Sequence, residues 1–182
     1  MKKLTKIANK CKTDKGTEHF EAHGYTEIYN DFIPSDKVVN LLEIGIWHGD
    51  SIRMWNEYNI NINVFGIDID QNVTKYIDKE KDKCTIFIGN QSDKNFLENV
   101  LNESNELDVI IDDGSHYTND IISSFKVLYP KLKPGAIYFI EDLHASQANL
   151  KQIIDEVSKY NEDIKLFCNN KLLMVIKNEN NV

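Results

Sequence analysis

Cysteine is scarce and unpatterned. Cys11, Cys84 and Cys168 are odd in number and far apart, with no CxxC. No disulfide framework can be built from them, and a reducing cytoplasm is the expected setting. No apolar run approaches the roughly 20 residues of a membrane span. The opening MKKLTKIANKCK is too sparse in apolar residues for a signal-peptide core. Excess positive charge is also absent: the formal net charge is −8, with the acids spread along the chain. That argues against a nucleic-acid partner held through phosphates. Only Pro34, Pro130 and Pro134 interrupt the chain, each where an element is predicted to end. A GxGxxG turn is missing too, because Ile46, Trp47 and His48 fill the middle of the one glycine turn that could match. This weakens a nicotinamide reading, which needs backbone close to a pyrophosphate.

What is present is ordinary globular material. The 182 residues, 41% apolar and 27% charged, fit a single domain over 1–182 with a real core. From about Val38, short apolar runs alternate with amphipathic segments. VVNLLEIG, VFGIDI, TIFIG, LDVII and AIYFI read as strands. Helical spacing follows each: residues 51–58, then Val73, Tyr76 and Ile77, then Phe96, Leu97, Val100 and Leu101. The last two such helices carry Ile121, Ile122, Phe125 and Leu128, and Leu150, Ile153, Ile154 and Val157. DIKLFCNNKLLMVIKN then reads as two strands joined at Asn169 and Asn170. The expected fold is α/β: a Rossmann-like, mostly parallel seven-stranded sheet with a C-terminal antiparallel hairpin. This layout resembles that of class I S-adenosylmethionine (SAM) methyltransferases. Residues 1–35 look helical and are expected to cap the sheet's carboxyl edge, ahead of a core over 36–182.

The strand ends carry the chemistry. Gly45 and Gly49 let backbone approach a ligand, and Gly49-Asp50-Ser51 opens a helix whose N–H groups favour an anion. Asp68 ends the second strand, where an acid can accept from both hydroxyls of a ribose. Asn90, Gln91 and Ser92 can reach an adenine edge, although Ser92 or Asp93 serves equally as a helix N-cap. Two later strands end in paired acids followed by a histidine: VIIDDGSH and YFIEDLH. Asp113 and the pair Glu141-Asp142 would repel one another if brought together, and a hard divalent cation such as Mg²⁺ resolves that repulsion. His116 is close enough in sequence to act as a base beside it. The alternative is that these acids cap the following helices, and for Asp112 alone that alternative is preferred.

LLEIGIWHGDS, FGIDID, GNQSD, VIIDDGSH and LKPGAIYFIEDLH together resemble the metal-dependent small-molecule O-methyltransferases. The resemblance is closest to the macrocin-type sugar enzymes, more distant to catechol O-methyltransferase, and covers roughly 13–175, including TDKGTEHFEAHGYTEIYNDF. It implies Asp113, Glu141 and Asp142 as metal ligands, His116 as base and Asp68 on the ribose of SAM. It places Glu43, Gly45 and Ser51 near the methionine end of the cofactor and leaves Asp112 either behind the metal ligands or on the cofactor side; Gln91 and Ser92 remain candidates for the adenine edge. Lys15, Gly16 and Tyr25 are expected to close over the cofactor. The implied function is Mg²⁺-dependent methyl transfer from SAM to a hydroxyl of a sugar in a glycan precursor or glycosylated metabolite. A catechol-like acceptor, or a non-catalytic SAM-binding module serving a partner enzyme, are the alternatives. A homo-oligomer is left open.

Overall fold

The computed structural model describes residues 1–78, 80–161 and 163–178; the last four residues of the expected domain fall outside that range. Strands β1 (Val39–Ile44), β2 (Ile62–Asp68), β3 (Cys84–Ile88), β4 (Val109–Asp112) and β5 (Ile137–Ile140) lie parallel. β6 (Ile164–Phe167) and β7 (Leu172–Ile176) complete a seven-stranded sheet in the order β3-β2-β1-β4-β5-β7-β6, with β7 antiparallel to both its neighbours. The hairpin between them turns through Cys168, Asn169 and Asn170, all with positive φ. Asparagine tolerates that conformation better than most residues. Lys171 at its end accepts a 3.0 Å hydrogen bond from the Leu143 amide, tying the hairpin to the segment after β5.

Helices cover both faces. α1 (Lys3–Cys11), α2 (Thr26–Phe32) and α3 (Asp50–Tyr58) lie on one, where Leu4, Ile7, Tyr29 and Trp55 pack on Leu41, Ile111 and Phe139. α4 (Lys94–Glu103), α5 (Thr118–Leu128) and α6 (Leu150–Val157) lie on the other, with Leu97, Phe125 and Ile153 against Leu42, Ile110 and Tyr138. Each fully buried large side chain here contributes roughly 1.5–3 kcal/mol.

Two expectations need correction. The helix predicted after β2 is a short 3₁₀ turn, Gln71–Lys75, capped where the Asp70 carboxylate accepts from the Asn72 amide. Val73 and Ile77 are buried as expected, whereas Tyr76 is exposed. The front segment does not lie as a whole across the sheet's carboxyl edge. α1 and α2 pack on the α3 face, and what reaches the strand ends is the loop between them, residues 12–25, together with Tyr29 of α2.

Candidate active site

Alternation along the strands decides which acids meet. β1, β4 and β5 run side by side in register, so Leu41, Ile111 and Phe139 face α1–α3 while Ile44, Ile110 and Ile140 face α4–α6. The same period puts Glu43 on the first face, Asp112 on the second, and Asp113 and Glu141 on the first again.

Lys15 enters this first face from the loop and is 1% exposed. Its ammonium donates to Asp113 Oδ2 and, at 2.7 Å, to Glu141 Oε2, and lies 3.5 Å from Glu43 Oε1. The Tyr29 hydroxyl donates to Glu141 Oε1. Trp55 Nε1 donates to Glu43 Oε2 at 3.0 Å, while Glu43 Oε1 has no hydrogen-bond partner among the described residues. Burial opposes the charge on Lys15, but Asp113, Glu141 and Glu43 outweigh it and hold its pKa well above the usual lysine value. Burial raises the pKa of Asp113, Glu141 and Glu43, with repulsion from Glu141 adding to it at Asp113, and Lys15 pulls each down without cancelling the rise. One ammonium faces three carboxylates, so the cluster is short of positive charge. Buried ions cost several kcal/mol each, and that shortage makes the cluster receptive to a further cation.

Asp142 follows β5 with φ +53°, and this left-handed turn brings it to the cleft beside Asp113. Its Oδ1 accepts from the Tyr25 hydroxyl at 2.6 Å and lies 3.6 Å from His23 Nε2 and 3.9 Å from His144 Nδ1. Its Oδ2 lies 3.8 Å from His116 Nε2. Burial pushes the Asp142 pKa up, but the Tyr25 hydrogen bond, His23 and His116 bring it below the ordinary carboxylate range. Burial lowers the pKa of His116 and of His23 against the pull of Asp142, which favours neutral imidazoles near pH 7. Asp113, His116 and Asp142 offer ligand atoms within 4.8 Å of one another, as do His23, Asp142 and His144. In the first set the carboxylates of Asp113 and Asp142 suit a hard ion such as Mg²⁺, with His116 beside them and Glu141 adjacent but held by Lys15 and Tyr29.

Asp113, His116 and Asp142 open on a cleft of about 660 Å³ at the carboxyl ends of β1, β2 and β4. It lies beside the β1–β4 pair, where the strand order reverses and open α/β sheets take ligands. Gly45 has φ +84°, and a Cβ there would sit 2.0 Å from the Asp113 carbonyl oxygen. The glycine turn and the acid loop therefore interlock. Asp68 Oδ2 accepts from the amides of Ile46 and Trp47, each at 3.1 Å, and Oδ1 from the Asp70 amide at 2.9 Å. That uses three of about four acceptor positions on the carboxylate.

Residues 42–143 match the family described as a methyltransferase domain. The chain belongs to this methyltransferase family. It is 34% identical over 140 residues to the 8-demethyl-8-alpha-L-rhamnosyl tetracenomycin-C 2'-O-methyltransferase of Streptomyces olivaceus, covering 72% of this chain and 36% of that protein. It is 30% identical over 148 residues to the demethylmacrocin O-methyltransferase of Streptomyces fradiae, covering 77% of this chain and 36% of that one. The methyltransferase domain thus spans little more than a third of the length of these relatives. Among solved structures it is similar to MycE methyltransferase from the mycinamycin biosynthetic pathway, in complex with Mg, SAH and mycinamycin VI. The TM-score is 0.74 at 23% identity, covering 98% of this chain and 56% of that one. The fold is that of class I methyltransferases. No helix among the described residues is long and apolar enough to cross a membrane.

In this methyltransferase domain, Gly45, Ser51, Asp68 and Gln91 line the cleft together with Asp113, His116 and Asp142. Four residues expected on the cofactor side do not line it. Asp112 is 1% exposed on the opposite sheet face, bonded by Ser124 at 2.6 Å, Gln91 at 3.0 Å and Tyr138 at 3.2 Å. Glu43 is buried against Lys15 and Trp55. Tyr25 is buried on Asp142. Ser92 donates to Asn90 Oδ1 at 2.7 Å, and Asp93, not Ser92, caps α4. Gly16 packs against Asn9 of α1. Lys15 and Tyr29 as carboxylate partners, and His23 beside Asp142, escaped sequence reasoning. A lysine between a helix and a glycine carries no local sign of partners 98 and 126 positions away.

Proposed function

We propose that the chain is the catalytic domain of an Mg²⁺-dependent O-methyltransferase that transfers the methyl group of SAM to a hydroxyl of a sugar-type small molecule. The observation that carries this reading is the set Asp113, His116 and Asp142, whose ligand atoms lie within 4.8 Å of one another in the lining of a cleft in a methyltransferase domain. The relatives named for rhamnosyl tetracenomycin and demethylmacrocin favour a sugar acceptor over a catechol.

Asp113 and Asp142, with Glu141 beside them, would hold Mg²⁺, which when bound would lower the pKa of an acceptor hydroxyl and help to position it. Asp68 and the Gly45 turn would orient SAM from the other side of the cleft. His116, neutral near pH 7, takes the hydroxyl proton on Nε2. SAM bound there would supply the methyl group to the acceptor oxygen, its carbon–sulfur electron pair staying on sulfur as the neutral thioether. Proximity and alignment of the two reactants would supply much of the rate.

The test is incubation with SAM, Mg²⁺ and a panel of nucleotide sugars and glycosylated metabolites, read by mass spectrometry. A gain of one methyl group on a sugar, abolished by EDTA, supports the reading. Transfer that persists in excess EDTA removes Mg²⁺ from it. Transfer to catechols but to no sugar removes the acceptor class.

A further inference from the structure

Lys15 occupies the position where sequence reasoning called for a metal ion. Its ammonium bonds Asp113 and Glu141, two of the three expected metal ligands, and the residue is almost wholly buried. An ammonium has three protons and carries one charge. It leaves Glu43 Oε1 without a hydrogen bond and leaves Asp142 to Tyr25. A divalent cation with oxygen ligands would offer the same carboxylates twice the charge. Both cations cannot take the same oxygens of Asp113 and Glu141.

The backbone around Lys15 is well braced. The Thr26 amide donates to the Lys15 carbonyl at 3.0 Å, His23 to Asp14 at 2.8 Å and Gly24 to Gly16 at 2.8 Å. These rungs hold the two arms of the 12–25 loop together without help from the lysine side chain. Lys15 also lines the cleft, so its side chain has somewhere to go without unfolding the loop.

We propose that Lys15 is an internal counter-cation of this site, competing with the divalent ion for Asp113 and Glu141 and swinging into the cleft when the ion binds. Lys15 is thus a positioning residue. It keeps the carboxylates gathered beforehand, and when displaced it brings a positive charge to the space where the acceptor enters. The idea rests on the metal part of the proposed function.

Two measurements test it. In the wild-type chain, acylation of each lysine is followed by peptide mass spectrometry with EDTA or with saturating MgCl₂. Lys15 should be protected in EDTA and label at least about tenfold faster with Mg²⁺, while exposed Lys37 and Lys131 do not change. In the second, calorimetry compares MgCl₂ binding to wild type and to Lys15→Met. Without its competitor, the ion should bind at least about tenfold more tightly. If Lys15→Met does not fold, the labelling arm decides alone. Mg²⁺ binding that leaves Lys15 protected, or an affinity equal to or weaker than wild type in a folded Lys15→Met, overturns the competition and leaves the metal reading standing. No Mg²⁺ binding to wild type or variant overturns both.

Discussion

Two strands of this domain end in tandem acids, and the two pairs are used differently. After β4, alternation splits the pair. Asp112 turns into the α4–α6 side and is satisfied by Ser124, Gln91 and Tyr138, while Asp113 turns toward Lys15. After β5, both acids stay with the site. Glu141 has the parity of Asp113, and Asp142 should by alternation point the other way, but its positive φ turns it back to the cleft. The same two residue types, one position apart, become a core hydrogen-bond acceptor and a site acid. Direction from the sheet sets the role before chemistry does.

The comparison can be broken most strongly on the site side. His116→Ala should lower methyl transfer by roughly 10²–10⁴-fold, the usual worth of a general base, with the circular dichroism spectrum unchanged. Near-normal turnover would hand proton removal to His23, His144 or water. Second, Gly45→Ala should destabilise by roughly 3 kcal/mol, from a strained positive φ and a Cβ against the Asp113 carbonyl. Urea unfolding reads this directly, and a loss below about 1 kcal/mol would mean that the two loops have slack. Third, Asp68→Ala should weaken SAM binding at least about tenfold in calorimetry, through loss of charge-assisted hydrogen bonds of roughly 1.5–3 kcal/mol. An unchanged affinity would confine Asp68 to bracing the Ile46 and Trp47 amides.

The smallest effect sharpens the contrast from the core side. Burial raises the Asp112 pKa to about 6 against the pull of Ser124, Gln91 and Tyr138. Between about pH 4 and pH 6 the folded protein therefore holds a proton that the unfolded chain, with a carboxylate near 3.9, has released. Asp112 thus makes stability fall as pH rises through that window and adds no further slope above it. The difference in unfolding free energy between wild type and Asp112→Asn should change by on the order of 1–2 kcal/mol from pH 4 to pH 6.5. A flat difference would mean that Asp112 is already ionised at pH 4.

The sheet was legible because each strand and most of its helices carry a local period, and the turn at Asn169 and Asn170 carries its own residue signal. The segment after β2 was misread because Val73, Tyr76 and Ile77 have helical spacing, yet the turn ends at Lys75. Asp113 and Asp112 could be separated in part by counting alternation from Val109. The turn at Asp142 could not, since nothing in IEDLH announces a left-handed backbone. The largest gap was Lys15. The carboxylates implied a cation, and the sequence offered no way to tell an ion from a lysine delivered by a distant loop.

The placement of β7 gives the domain an order of completion. β5, whose end carries Glu141 and Asp142, has β4 on one side and β7 on the other. Residues 172–176 leave the ribosome after every other strand of this sheet. Until they arrive, one edge of β5 is an open template for foreign strands, and the Lys171 carbonyl that accepts from the Leu143 amide is not yet held in place by β7. A nascent or truncated chain ending before Leu172 would hold all the acids of the site and its candidate base, yet lack the strand that fixes them in place. The C-terminal hairpin thus supplies the last edge partner of the strand from which two of the acids project.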